Sequence, residues 1–149
     1  MHDLVIRHAQ PNDLDQVWPL ARDFATSFRP VRESFEPTFH RLQHTSSALF
    51  VVASLGDTVH GYLVAHVHDT FLANGPVTWI EELMVEEPYR KLGIGRALVD
   101  EAEHWSASVG GIYISLASRR ACAFYLALGY DESATFFKKA TPRIHAPLA

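Results

Sequence analysis

The residues of this chain that could do chemistry gather in one stretch. Arg90, Lys91, Gly93, Gly95 and Arg96 stand where an apolar repeat of helical spacing begins, and Glu81 and Glu82 precede them on an apolar, strand-like run. Glycines at the mouth of a helix remove side chains where unpaired backbone N–H groups point outward, and the positive end of the helix dipole adds to them. Three basic side chains contribute full charges. Such a site suits an anion, above all a phosphate. The two glutamates offer carboxylates, which can hold an ammonium and take its proton. Neighbouring residues on a strand point to opposite faces, so at most one of them faces a shared site unless a bulge intervenes.

The elements around this stretch follow from the same patterns. Val77 to Val85 reads as a strand, stopped by Glu86-Glu87-Pro88 because proline lacks the donor a ladder needs. Ile94, Ala97, Leu98, Ala102 and Trp105 recur at helical spacing up to Gly110-Gly111, a natural end cap. Upstream, Leu4–Arg7 is a first strand. Pro11 opens a helix carrying Leu14, Val17, Trp18, Leu20, Ala21 and Phe24, with a bend expected at Pro19. Phe28 to Pro37 reads as irregular, and a second helix is expected from Phe39 to about Thr45. Ala48–Ser54 and Val59–Val67 flank the turn Gly56-Asp57 as a hairpin, and Asn74-Gly75-Pro76 makes a second turn. Ile112–Leu116 is a strand reached by a right-handed crossover. Arg119–Leu128 is a last helix, Ser133–Lys139 a closing strand, and 141–149 a loose tail.

Two familiar phosphate loops do not fit. The Walker spacing is absent, and a dinucleotide loop would need glycine where Leu98 stands and an acidic residue after the next strand, where Ser115 to Ser118 lie. What remains, Arg90-x-x-Gly93-x-Gly95, resembles the acyl-CoA pyrophosphate loop of the GNAT superfamily of N-acetyltransferases. A second segment, Arg120-Ala121-Cys122-Ala123-Phe124-Tyr125 through Gly129-Tyr130, resembles that family's Arg-Ala-x-x-Phe-Tyr-x-x-x-Gly-Phe/Tyr segment. The element order β-α-α-β-β-β-α-β-α-β is similar to the family's. The resemblance implies an α/β (α+β) fold: a mixed, mostly antiparallel central sheet flanked by helices, with a splayed parallel strand pair holding CoA.

It also implies roles. Acetyl-CoA would bind through the backbone from Leu92 to Arg96 (Leu92, Gly93, Ile94, Gly95, Arg96), with Arg90 and Lys91 beside it. Its pantetheine arm would pair with Leu83, Met84 and Val85, and Leu83 N–H would meet the oxyanion. Tyr125 would be the general acid: a phenol of pKa about 10 can protonate a thiolate of about 8.5. Ser118 stands where the family often carries asparagine, a shorter group at one CoA contact. Of the two glutamates, Glu81 sits four residues before Val85, where small-amine acetyltransferases of this family carry a glutamate, and is chosen as base. A lysine-like ammonium needs one, since at neutral pH only about one in a thousand is free amine. The loop from Phe28 to Pro37 would shape the acceptor pocket. Phe28, Phe35, Phe39, Glu33 and Glu36, with Glu81 and Glu82, lean towards a cationic small molecule or a lysine as substrate.

Composition bounds the alternatives. A chain of 149 residues with 48% hydrophobic and 20% charged residues reads as one domain with a full core. A formal charge of −4 argues against nucleic-acid binding. One cysteine, Cys122, excludes an intrachain disulfide and reads as a buried structural thiol. The nine histidines include the pairs His66/His68 and His40/His44 but no third ligand, so no metal is expected. No apolar run of membrane length or leader is visible, and a cytoplasmic protein is expected; a homodimer is left open. The function expected is direct acetyl transfer from acetyl-CoA to a primary amine of a small molecule, a lysine or an N-terminus. The rivals are a non-catalytic acyl-CoA sensor, for which Glu81 and Tyr125 would be superfluous, and a nucleotide-binding protein.

Overall fold

The computed structural model describes residues 2–142. The chain divides into two compact units, one through Leu116 and one from Ala117 onward. The first contains a five-stranded sheet in the order β1-β2-β3-β4-β5. Its strands are β1 (Leu4–His8), β2 (Ala48–Leu55), β3 (Thr58–Asp69), β4 (Pro76–Val85) and β5 (Ile114–Ser115). The first four pair antiparallel, and β4 with β5 parallel. The helices of this unit are α1 (Leu14–Phe24), α2 (Arg32–Gln43) and α3 (Ile94–Ser108). The mixed, mostly antiparallel α/β class expected from the sequence is what the chain adopts.

Alternation along the strands builds a core on each face. Phe50 and Val52 of β2 and Tyr62 and Val64 of β3 pack with Val17 and Leu20 of α1 and Phe39 of α2. The intervening residues Leu49, Val51, Ala53, Leu63 and Ala65, with Ile80, meet Ile94, Leu98 and Ala102 of α3. The period-two strand pattern and the period-3.6 helix pattern thus meet on both faces of the sheet. Below the first core, Asp13 is buried and takes a bidentate pair from Arg7, at 2.7 and 2.9 Å. Burial alone would raise its carboxyl, but Arg7's bonds and charge and the Gln10 N–H outweigh it and hold the group below the ordinary carboxylate range.

Three expected boundaries shift. Helix α2 begins at Arg32, not Phe39, and runs through Pro37. Phe35, Phe39 and Leu42 recur at helical spacing and face the first core, and this burial outweighs the single donor that Pro37 lacks. Strand β5 is two residues long where five were expected. In the second unit, helix α4 (Cys122–Ala127) begins three residues late, after a turn in which Ser118 Oγ accepts from Ala121 N–H at 3.0 Å. The expected closing strand over Ser133–Lys139 is not formed. Phe136 and Phe137 are adjacent, which breaks alternation, and both are exposed, so no buried face drives a ladder there. From residue 143 on, the expected tail lies outside the described residues.

Candidate functional site

The loop after β4 is shaped by backbone conformation. Lys91 (φ 65°) and Gly93 (φ 89°) are both left-handed, and Gly93 is the N-cap of α3. A side chain added at Gly93 would meet nothing within 4 Å, so the space above this backbone is open. The first helical bond is Ala97 N–H to Gly93 O at 3.0 Å, which leaves the N–H groups of Ile94, Gly95 and Arg96 without intrahelical acceptors. The Ile94 side chain is buried in the second core, anchoring the helix start, while Lys91, Leu92, Gly93 and Arg96 are exposed. Open amides, an exposed lysine and arginine and the helix dipole make a cradle that fits a pyrophosphate. Arg90 is committed elsewhere. Its Nε donates to Val85 O at 2.8 Å and a terminal nitrogen lies 3.7 Å from Met84 Sδ, tying the loop back to β4.

Strand β4 itself presents an unpaired edge. Its ladder with β5 covers only Thr78↔Ile114 and Trp79↔Ser115. Glu86 N–H donates to His60 O at 2.8 Å, which sets the phase of the β3–β4 ladder. By antiparallel alternation the amide groups of Leu83 and Val85 point away from β3, towards the side that β5 has left. Their side chains pack into the second core, and that of Met84 into the first. A ligand arm laid along this edge would find the N–H donors of Leu83 and Val85 at strand spacing and the carbonyl of Leu83, that of Val85 being held by Arg90.

The two glutamates depart from simple alternation. Val64 pairs with Glu82 and Ala65 with Ile80, so Glu81 is the extra residue of a β-bulge. The bulge lets Ile80 and Leu83 face the same core and removes the premise that Glu81 and Glu82 must oppose each other. Glu81 is exposed. Glu82 is half-buried, and its Oε1 accepts from Tyr62 O–H at 2.6 Å. Burial raises the Glu82 carboxyl above its ordinary value; the Tyr62 hydrogen bond opposes this, the Glu81 charge adds to it and the His66 charge offsets it. Burial, with the charge and hydrogen bond of Glu82, in turn pushes the Tyr62 phenol up, so it stays a donor.

The sequence did not single out Tyr62 or His60. His60 lies within the hairpin, stacks on Tyr89 with centroids 3.7 Å apart and pairs through Nδ1 with Glu86 Oε2 at 2.7 Å, bracing the start of the loop. The signal for both lay in cross-strand register, which needs the partner strand to be known.

On the expected acceptor side the residues part company. Phe35 packs against Trp18 and Phe39, with centroids 5.1 and 5.7 Å apart, and belongs to the core. Glu36 is taken by Arg32 at 2.8 Å. Phe28 is 75% exposed and lines a cavity of about 680 Å³ with Arg22, Thr26, Ser27 and Arg29. In the second unit, Tyr125 is half-buried between the rings of Phe124 and Tyr130, and burial pushes its phenol up to about 12. Cys122 is exposed, not buried: it is the first residue of a six-residue helix. Among the described residues no cluster of His, Cys, Asp and Glu has metal-binding geometry, and no helix is long and apolar enough to cross a membrane.

The acetyltransferase (GNAT) family profile matches residues 14–130, and the chain belongs to that family. Solved structures agree on the fold. A transcriptional regulator from Bacillus halodurans C-125 is 23% identical with a TM-score of 0.83, covering 93% of this chain and 100% of that one. Glucosamine-6-phosphate N-acetyltransferase from Arabidopsis thaliana is 17% identical with a TM-score of 0.82, covering 94% and 99%. An aminoglycoside acetyltransferase from an uncultured soil metagenomic sample is 20% identical with a TM-score of 0.71, covering 93% and 97%. No curated protein matches the sequence significantly.

Proposed function

We propose that this protein transfers an acetyl group from acetyl-CoA directly to a primary amine. The observation that carries this reading is the adjacency of an open, amide-lined helix start at Gly93 to the Leu83 and Val85 N–H groups of β4, which have no ladder partner. A family match that runs across the junction at Leu116 supports a single catalytic domain.

Bound acetyl-CoA would supply an activated thioester carbonyl. The amides from Leu92 to Arg96, with Lys91, hold the pyrophosphate. Arg90 holds the loop to β4 and so positions the cradle. The edge of β4 through Leu83, Met84 and Val85 orients the pantetheine arm, and Leu83 N–H stabilises the negative charge that develops on the carbonyl oxygen. Glu82 accepts the ammonium proton of the acceptor, because its raised pKa brings it nearer to the operating pH. Glu81, exposed beside it, holds the cation. As the C–N bond forms and the C–S bond breaks, Tyr125 gives the departing sulfur its proton, a role consistent with a phenol that burial keeps protonated, and the second proton lost by the nitrogen restores the phenol; Ser118 contributes a hydroxyl to the CoA contacts.

Thermal shift with acetyl-CoA, CoA, NAD and ATP, followed by an amine panel read by thiol release, tests the proposal. Stabilisation by the two CoA species alone and thiol release that depends on the amine are expected. Binding of NAD or ATP in their place, or CoA binding with no amine turned over, would overturn it.

A further inference from the structure

We propose that the cavity after α1 is an anion subsite of the acceptor pocket, so that the amine this protein acetylates also carries a carboxylate or a phosphate. The inference rests on the acetyltransferase reading above. It adds an anionic group to the lean of the sequence, in which the acidic residues of this region point to a cationic small molecule or a lysine.

The cavity, of about 680 Å³, is lined by Arg22, Thr26, Ser27, Phe28 and Arg29, with no carboxylate among its lining residues. Other arginines of this region are held by carboxylates. Arg7 is committed to Asp13, and Arg32 to Asp15 and Glu36, with its guanidinium 5.9 Å from the Trp18 ring centroid. Arg22 uses only Nε, on Asp23 at 3.1 Å, and its terminal nitrogens remain available. Arg29 makes no hydrogen bond or ion pair among the described residues. In a chain of formal charge −4, two arginines with spare donors around one cavity are not a reflection of a generally basic surface. The guanidinium fork matches the two oxygens of a carboxylate or phosphate, and the hydroxyls of Thr26 and Ser27 can complete the shell.

The neighbouring cleft has the opposite character. It holds about 380 Å³ and is lined by Asp23, Glu86 and Glu87 with Leu20, Met84 and Arg90. The bonded pair Arg22–Asp23 joins the two, one residue lining each. Met84 in the cleft is two residues beyond Glu82 on β4. A ligand spanning both would place its ammonium among carboxylates and its anion among arginines, and so would be a zwitterionic amine.

The test is steady-state acetylation by the purified full chain of α-amino acids against their amides, and of amino sugar phosphates against the parent amino sugars. At least a tenfold higher kcat/KM for the charged member of one series is expected, and which series shows it tells carboxylate from phosphate. Arg22→Ala and Arg29→Ala should each raise KM for that member by about tenfold or more, the cost of a lost charge-assisted bond. Arg29→Lys should recover part of the loss, and Arg41→Ala, an exposed arginine outside the cavity, should not change KM. Parity between charged and neutral members, preference for polyamines, or insensitivity to both alanine variants would overturn the subsite. Calorimetry of the same amines in the presence of CoA separates the two readings. Binding that needs Arg29 but gives no turnover would keep the subsite and defeat acetyl transfer, whereas turnover of neutral amines alone would do the reverse.

Discussion

The hydroxyl of Tyr62 donates to Glu82 Oε1 at 2.6 Å, one strand across and on the same face of the sheet. This bond favours the ionised carboxylate, against burial and the Glu81 charge, which favour the protonated one. As a base Glu82 must be ionised, so kcat/KM should rise with pH through its raised pKa. Tyr62→Phe removes this opposing hydrogen bond, raises that pKa further and should move the acidic limb to higher pH. A structural loss alone would lower Tm and leave the limb in place. The pH profile of the variant, measured beside its melting curve, decides between them.

Glu82→Gln keeps the shape and cannot take a proton. The plateau of the same profile should fall, by up to the roughly 10²- to 10⁴-fold that general bases contribute. Glu81→Gln should act mainly on KM for the amine. A larger plateau loss from Glu81→Gln would return the base to Glu81.

Gly93→Val should raise the dissociation constant for CoA sharply. The position is left-handed, at a cost of about 1–2 kcal/mol for a residue with a side chain, and the added group would project into open space that the pyrophosphate is expected to fill. A folded variant with unchanged CoA affinity by calorimetry would remove the cradle from the site.

Tyr125→Phe should preserve CoA binding and reduce turnover. With the phenol pushed up to about 12, its protonated form persists across the working range, so the wild-type profile should show no basic limb from this group below about pH 11. Undiminished single-turnover rates in the variant would leave Tyr125 a packing residue.

Asp13→Asn should cost about 3 kcal/mol, the scale for stranding a partly buried partner, here Arg7. The Asp13 carboxyl is depressed in the folded state. Its contribution is therefore full above the unfolded value of about 3.9 and is lost as pH falls through the folded one. Denaturant midpoints at pH 7 and at pH 3 should show a smaller gap between wild type and variant at the lower pH.

The parts of this protein legible in its sequence are those in which the signal is local. The glycines and basic residues at the start of α3, the alternation of β2 and β3 and the periodicity of α1 and α3 each follow from a few adjacent residues. What escaped depends on partners far along the chain. The bulge at Glu81 exists because of the register between Val64/Ala65 and Ile80/Glu82, and local alternation leaves open whether one is present, so it cannot place the two glutamates. Tyr62 gains its role only when β3 lies against β4. The stretch from Phe28 to Pro37 reads locally as irregular, yet the apolar stripe Phe35-Phe39-Leu42 carries α2 from Arg32 through Pro37. The exposure of Cys122 followed from where α4 begins, a boundary set by the Ser118 turn.

The early end of the β4–β5 ladder leaves the last residues of β4 with an open edge. At an outer edge such unpaired amides invite another chain, and proteins blunt them with charge, proline or a short strand. Here Arg90 covers only the Val85 carbonyl, and the N–H groups of Leu83 and Val85 face a gap in the ladder, with β3 on the other side of the strand. Their protons should therefore exchange with solvent faster than those of Met84 and Glu82, which the ladder to β3 holds. A ligand arm that closes the gap would slow the first pair and leave the second unchanged. Hydrogen exchange at four consecutive residues would then report occupancy of the gap with single-residue resolution, without any reaction taking place.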